Sequence, residues 1–423
     1  MASKMYLCID LKSFYASVEC VERGLDPMTT NLIVADPERS DKTICLAVTP
    51  AMKKLGIKNR CRVFEIPKSI EYITAPPRMQ LYIDYAARIY GVYLKYISKE
   101  DIYVYSIDEV FMDVTHYLPL YQMSAKELAQ TILQDMYEQI GVRASCGIGT
   151  NLYLTKIALD ITAKHAEDFI GFLDEEKYKR TLWQHKPLTD FWRVGAGTAR
   201  RLEKYGIDTM EGIARADEDF LYRLFGVDAE LLIDHAWGVE PTAISDIKRY
   251  KPKTNSLTSG QVLMADYSFE DGRMIVEEMM EELCLSMLDK GLVTKSVTLH
   301  VGYSNSLHMD AAHGTVSVAQ ESSASMVWIP EILKLYDRIV NKDCPVRRIH
   351  IYLNNVTEEG VYQTSFLEDA EEEKRNRKIQ ETVLSIKKQF GKNAVFKGID
   401  LKENATALER NRQIGGHKSG DES

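Results

Sequence analysis

Two adjacent carboxylates, Asp108 and Glu109, interrupt the stretch YVYSIDEVFMDVT at residues 103–115, whose other residues are mostly aromatic or β-branched and read as sheet. Like charges set where a buried hairpin is being built cost several kcal/mol unless a cation neutralises them. A solvated acidic turn is the plain alternative. Asp10, at the end of the apolar run MYLCIDL, is a third acid in a similar setting. Taken alone, it reads equally as an N-cap for a helix beginning at Ser13. Three carboxylates at the edge of one sheet point to divalent cations, because Mg²⁺ prefers hard oxygen ligands and takes one or two carboxylates together with substrate phosphates. Two such ions about 4 Å apart activate an attacking oxygen and stabilise a leaving one in an in-line phosphoryl transfer.

Positioning those acids needs a sheet and the helices that bury it. Residues 5–11 predict a short buried strand, followed by a helix through SFYASVECVER and strands at NLIVAD and TICLAV. Pro50 opens a short helix that Gly56 closes. A longer helix over YIDYAARIYGVYLKYI precedes the 102–115 hairpin, and a helix near 124–138, the strand RASCGIG, the helix NLYLTKIALDITAK and the strand FIGFL follow it. This mixed order predicts an α+β domain with helices on one face of a largely antiparallel sheet. After Trp183 the chain turns to short helices joined by Gly-containing turns, as in RVGAGTARRLEKYG. EPTAISDIKRYKPKTNS, with prolines, charge and little periodicity, reads as a linker. The region after it predicts a β-α-β-β-α-β order, and GGHKSGDES reads as a disordered tail.

With 423 residues, several domains are expected. No apolar run approaches the roughly 18 residues that span a bilayer, so no membrane role is expected. MASKMYLCIDLKSFYAS is broken by Lys4, Asp10 and Lys12 and does not read as a signal peptide. Seven cysteines without a CxxC pair fit free thiols and a cytoplasmic location. A net charge of −9 excludes a uniformly basic, histone-like chain, but leaves room for local basic clusters at 53–62, 199–201, 248–253 and 346–348.

The pair YLCIDLKSFYASVE and YSIDEVFMDV resembles the Y-family translesion DNA polymerases, with a likeness running to about residue 360 and most similar to the UmuC-type branch. The resemblance implies a right-hand, multi-domain α+β polymerase: palm at 1–30 and 78–180, fingers at 31–77, a helix-hairpin-helix thumb at 181–240, a linker at 241–255, an α+β little finger at 256–360 and a tail at 361–423. It implies two Mg²⁺ ions held by Asp10, the Leu11 carbonyl, Asp108 and Glu109, with Glu109 on the ion that activates the primer 3′ hydroxyl. Ser13, Phe14, Tyr15, Lys53 and Lys164 would meet the nucleotide, Tyr15 as the steric gate that clashes with a 2′-OH. Lys53 stands where the family has Arg, Pro50 where it has Tyr and Ala47 where it has Thr, which predicts an altered triphosphate grip. Primer–template DNA and dNTPs are the implied substrates, with a sliding clamp and SOS accessory subunits as implied partners.

VGAGTARR resembles the family's DNA-gripping hairpin, so Gly195, Gly197, Arg200 and Arg201, with Lys251 and Lys253 of the linker, are expected on the DNA backbone. YQTSFLED resembles a clamp-binding peptide through Gln363, Phe366 and Leu367. His300, His308 and His313 match no standard zinc spacing, and GIG at 147–149 reads as strand-end packing rather than a nucleotide fingerprint. Two rivals stay open: a palm-type nucleotide cyclase, and a catalytically silent DNA- or clamp-binding scaffold.

Overall fold

A strand that is apolar on both faces belongs in the middle of a sheet, and β1 (Tyr6–Leu11) lies there in the computed structural model, which describes residues 4–252, 255–360 and 370–420. The chain forms two compact units. The first runs to Tyr250 and regains the chain at Lys418; the second is Lys251–His417.

In the first unit, the helix α1 (Phe14–Glu22) follows β1. Next come β2 (Leu32–Val34), β3 (Ala47–Val48), α2 (Pro50–Lys54) and β4 (Ile73–Ala75). They form a small sheet of order β3-β2-β4, in which β2 is antiparallel to β3 and parallel to β4. NLIVAD and TICLAV thus give shorter strands than their composition predicts. Thr49 supplies the cap of α2, its Oγ1 accepting from Met52 N. The helix α3 (Met79–Tyr93) begins at Met79, before the predicted start at Tyr82, and leads to β5 (Ile102–Val104) and β6 (Glu109–Asp113). After α4 (Tyr117–Tyr121), α5 (Ala125–Ile140) starts at a capping box of Ser124 and Glu127 and ends on Gly141 in left-handed conformation.

β7 (Ala144–Gly149), α6 (Leu152–Ile157) and β8 (Ile170–Leu173) complete a sheet of order β5-β6-β1-β7-β8. The helix α6 continues as a π turn at Ala158–Thr162 and a 3₁₀ turn at Ala163–His165. Cβ atoms at Gly147 and Gly149 would lie 2.1 Å from the Thr155 carbonyl oxygen and 2.4 Å from Thr155 N. These two glycines let α6 lie directly on β7. Tyr6 and Cys8 pack against Leu152, Leu159 and Ile244 on one face, while Leu7 and Ile9 of the other face are fully buried. Helices on one face were predicted; β1 is in fact covered on both.

A helical cluster follows: α7 (Glu175–Leu182), α8 (Ala196–Glu203), α9 (Met210–Ala214), α10 (Glu218–Phe225) and α11 (Asp228–Trp237), around a core that includes Phe191, Leu202, Ile213 and Leu221. The predicted linker is in its first part a helix, α12 (Ile244–Arg249), because Ile244 is buried on the sheet and Lys248 Nζ donates to the carbonyls of Lys99 and Glu100, the latter at 2.9 Å.

The second unit runs β9 (Leu257–Tyr267), α13 (Phe269–Lys290), β10 (Leu292–Tyr303), β11 (Ala312–Ser322), α14 (Ser325–Ile339) and β12 (Val346–Asn354), with sheet order β11-β10-β12-β9. This is the β-α-β-β-α-β order read from the sequence. Val297, Leu299, Val301, Ile349 and Ile351 point to a core shared with Trp328 and the methionines of α13.

The chain beyond 370 departs from the predicted tail. α15 (Ala370–Phe390) is followed by a segment whose Ile399 and Ala405 pack on the second unit's core, and Thr406 donates from N and Oγ1 to the buried Glu278, both at 3.1 Å. Lys418–Gly420 then lies on the first unit: Ser419 O accepts from Gln80 N at 2.9 Å, and Lys418 Nζ is 3.6 Å from Asp36 and 2.5 Å from Glu38. Specific ion pairs and backbone bonds, invisible to composition, order these residues.

Candidate active site

Antiparallel pairing sets Asp10 opposite Glu109 on one side and opposite Ser145 on the other. Directly opposed residues share a face, so Asp10 and Glu109 project together. Leu11 N donates to Asp108 O at 2.9 Å, which brings the hairpin bend to the end of β1. Asp108 lies in that bend, half-buried, with Ser106 Oγ donating to its Oδ1 at 2.6 Å. The three predicted acids are therefore neighbours.

Their environments differ. Glu109 is buried, and its carboxylate is engaged by Lys156 Nζ at 2.8 Å and by Cys8 Sγ at 3.2 Å. Lys156 also reaches Asp160 at 3.2 Å. Burial would lower the Lys156 ammonium, but Glu109 and Asp160 outweigh it and hold its pKa above the ordinary lysine value. Among the described residues Asp10 has no such partner. Burial, then the charges of Asp108 and Glu109, push its pKa from 3.8 up to about 7, against a smaller opposing effect of Lys156.

Among the described residues, no three His, Cys, Asp or Glu side chains already converge as a metal cluster. Glu109, predicted as a metal ligand, is turned onto Lys156 instead, because a buried carboxylate needs a cation and α6 supplies one. Among the described residues neither Asp10 nor Asp108 has a cationic side chain in ion-pair contact. That imbalance, on hard oxygen donors, fits a divalent cation.

Further cations lie within electrostatic reach of Asp10. Lys12 Nζ lies 3.7 Å from the centre of the Phe169 ring. Burial lowers the pKa of Lys12 and of Lys53; Asp10 opposes that shift in both, while Lys164 adds to it. Lys53 projects from α2; Lys164, half-exposed, lies 3.7 Å from Asp160. Lys12 and Lys156 were not singled out from the sequence. For Lys156 the signal was present, since Lys156, Asp160 and Lys164 recur at intervals of four.

Tyr15 stacks on Tyr82 at 4.5 Å and 15°. Burial raises its hydroxyl pKa, the Asp108 charge adds to this, and Arg60 opposes it. The Phe14 ring lies 5.7 Å from the Tyr15 ring. Tyr82 is fully buried, its hydroxyl donating to Glu19 Oε1 at 2.8 Å. Arg78 closes on the same carboxylate at 3.0 and 2.7 Å, with Arg23 alongside. Burial would push the Glu19 carboxyl up, but these hydrogen bonds hold it below the ordinary value. Ser13, at φ 48° in the turn between β1 and α1, has a buried hydroxyl with no partner among the described residues.

The predicted DNA contacts divide. Gly195 caps α8 and Gly197 sits in its first turn, both facing open space. Arg201 instead donates to the Leu224 carbonyl and lies 4.7 Å over Phe225, and Arg200 Nε donates to Ala196 O at 3.2 Å. Lys251 is exposed. Lys253, Gln363, Phe366 and Leu367 lie outside the described residues. Among the described residues no helix is long and apolar enough to cross a membrane.

Comparison with known proteins gives a consistent result. Residues 9–160 match the impB/mucB/samB family and residues 255–366 match the C-terminal domain of that family. The chain is 30% identical over 418 residues to the putative UV-damage repair protein UvrX of Bacillus subtilis, covering 98% of both. It is 29% identical to DNA polymerase IV 2 of Halalkalibacterium halodurans, covering 98% of this chain and 99% of that one. A Y-family DNA polymerase chimera of solved structure is similar at a TM-score of 0.66 and 20% identity, over 84% of this chain and 99% of its own.

Proposed function

The chain belongs to the impB/mucB/samB family, the Y-family DNA polymerases, and on that premise we propose that it extends a primer 3′ hydroxyl with a dNTP on a DNA template, damaged template included. The observation that carries the reading is the charge imbalance at the sheet edge: among the described residues the half-buried Asp10 and Asp108 have no ion-pair partner, while Lys12 and Lys53 respond to the Asp10 charge. A metal–triphosphate complex carries both signs and would satisfy both sets.

Enzymes of this family depend on divalent metal; here Asp10 and Asp108, with the Leu11 carbonyl, would hold two Mg²⁺. The metal would supply Lewis-acid stabilisation of phosphoryl oxygens. Glu109 would join once its grip on Lys156 loosens. Ser13, Phe14 and Tyr15 would line the sugar side of the nucleotide, and Lys12, Lys53 and Lys164 the phosphate side. The amides at Gly195 and Gly197 would meet the DNA backbone in a salt-sensitive way. A sliding clamp, SOS accessory subunits and a cytoplasmic setting, consistent with seven free cysteines, complete the proposal.

Primer extension on primed template with Mg²⁺ and dNTPs tests it, with Asp108→Ala alongside. Extension by the wild type and none by the variant is expected. A wild type that binds primed DNA yet stays inert, also after addition of clamp and accessory proteins, overturns the catalytic reading in favour of a scaffold.

A further inference from the structure

The segment Lys418–Gly420 lies beside the two elements that flank the nucleotide site. On one side it meets the finger sheet: Lys418 Nζ sits between Asp36, at 3.6 Å, and Glu38, at 2.5 Å, two residues just past β2. That sheet carries α2 and hence Lys53, since Ile33, Val48 and Met52 share one core. On the other side it meets the start of α3. Ser419 O accepts from Gln80 N, and Gly420, at φ +88°, lies so close to Arg78 that a Cβ there would stand 2.8 Å from Arg78 Cβ and 3.0 Å from its Cα. A side chain at 420 would therefore be strained in backbone and in space.

From Arg78 a short chain of contacts leads to the nucleotide's sugar side. Arg78 holds Glu19 with two hydrogen bonds, Glu19 accepts from the Tyr82 hydroxyl at 2.8 Å, and the Tyr82 ring is the surface on which Tyr15 stacks. Glu19 and Tyr82 are fully buried, so each link is fixed by packing as well as by its hydrogen bond. We propose that Lys418–Gly420 is a strap that positions the nucleotide site, fastening the finger sheet that carries Lys53 to the α3 end that orients Tyr82 and Tyr15. This rests on the reading of Tyr15 and Lys53 as nucleotide contacts. The strap touches no substrate; its role is positional, so loosening it should alter nucleotide binding and sugar selection more than turnover.

The test compares Gly420→Val, Lys418→Ala and Tyr15→Ala with wild type in single-nucleotide primer extension, using a dNTP and the matching ribonucleotide. Gly420→Val displaces the strap, and Lys418→Ala, a half-buried truncation that introduces no clash, removes its ion pairs. For both, the dNTP KM is expected to rise about three- to tenfold with kcat within about twofold, and deoxy-over-ribo preference to fall by a similar factor. Binding of primed DNA should stay at the wild-type level. If Tyr15→Ala relaxes sugar preference while both strap variants keep wild-type KM and preference, the strap idea fails and the nucleotide-site reading stands. If the strap variants lose kcat at unchanged preference, their effect is general and the proposal is overturned. If Tyr15→Ala leaves sugar preference unchanged, the reading beneath both is wrong.

Discussion

Replacing Asp10 by Asn should stabilise the protein while abolishing its activity. In the fold, burial and the neighbouring Asp108 and Glu109 push the Asp10 pKa from 3.8 up to about 7. A carboxyl with a raised folded-state pKa contributes its full stabilisation below its unfolded pKa, and that contribution is lost as pH rises through the folded value. At about 1.36 kcal/mol per pH unit, the displacement makes the ionised Asp10 a liability of about 4 kcal/mol above pH 7. Asn removes the charge but leaves a desolvated amide, which returns about 1–3 kcal/mol of that gain. The expected net gain at pH 8 without divalent ions is therefore about 1–3 kcal/mol, or about 2–4 °C in midpoint for each kcal/mol. It should vanish by about pH 5, where folded wild type is already protonated. Added Mg²⁺ should raise the wild-type midpoint and leave the Asn variant unmoved, because only the wild type gains a bound cation. Thermal melts followed by Trp183, Trp192 and Trp237, in a Trp328→Phe background, provide the assay for the first unit. A variant less stable than wild type at pH 8, or equally pH-dependent, would refute the claim that Asp10 carries unbalanced charge.

Two further outcomes follow from buried pairs. Lys156→Met should cost about 3–5 kcal/mol by stranding Glu109, and Lys156→Met with Glu109→Gln should cost clearly less than the sum of the singles, measured by urea unfolding. Glu240 is held down at about 2: burial would raise it, but hydrogen bonds from His235 at 3.1 Å and from Thr242 N at 2.9 Å prevail. Its stabilisation is present above the ordinary value of 4.5 and lost as pH falls toward 2, so Glu240→Gln should cost about 3 kcal/mol at pH 7 and flatten the acid limb below pH 4.5.

The acids and the fold of the second unit were legible because each rests on local pattern. Asp10 interrupts an apolar strand and Asp108 an apolar hairpin, and the β-α-β-β-α-β order follows from period and turns. What composition hid depends on distant partners. Ile244 looks like part of a linker until Tyr6 and Cys8 cover it. Lys156 looks like one more helical lysine until Glu109 faces it from β6. Arg201 lies in a basic run, yet spends its guanidinium on Leu224 and Phe225. Lys418–Gly420 reads as a tail, since nothing nearby in sequence announces Asp36, Glu38 or Gln80.

The π turn at Ala158–Thr162 has a consequence for how this region can change in length. A π turn is an α-helix that has accepted one extra residue. Deleting any one residue of it would restore ordinary winding and leave the chain beyond in phase, because the π turn takes up the extra residue locally as a wider loop of backbone. That wider backbone bears on β8, where Gly171 sits so close that a Cβ would stand 2.4 Å from the Ala158 carbonyl oxygen. The extra residue and the missing side chain at Gly171 thus form one inherited unit, and homologues should gain or lose them together.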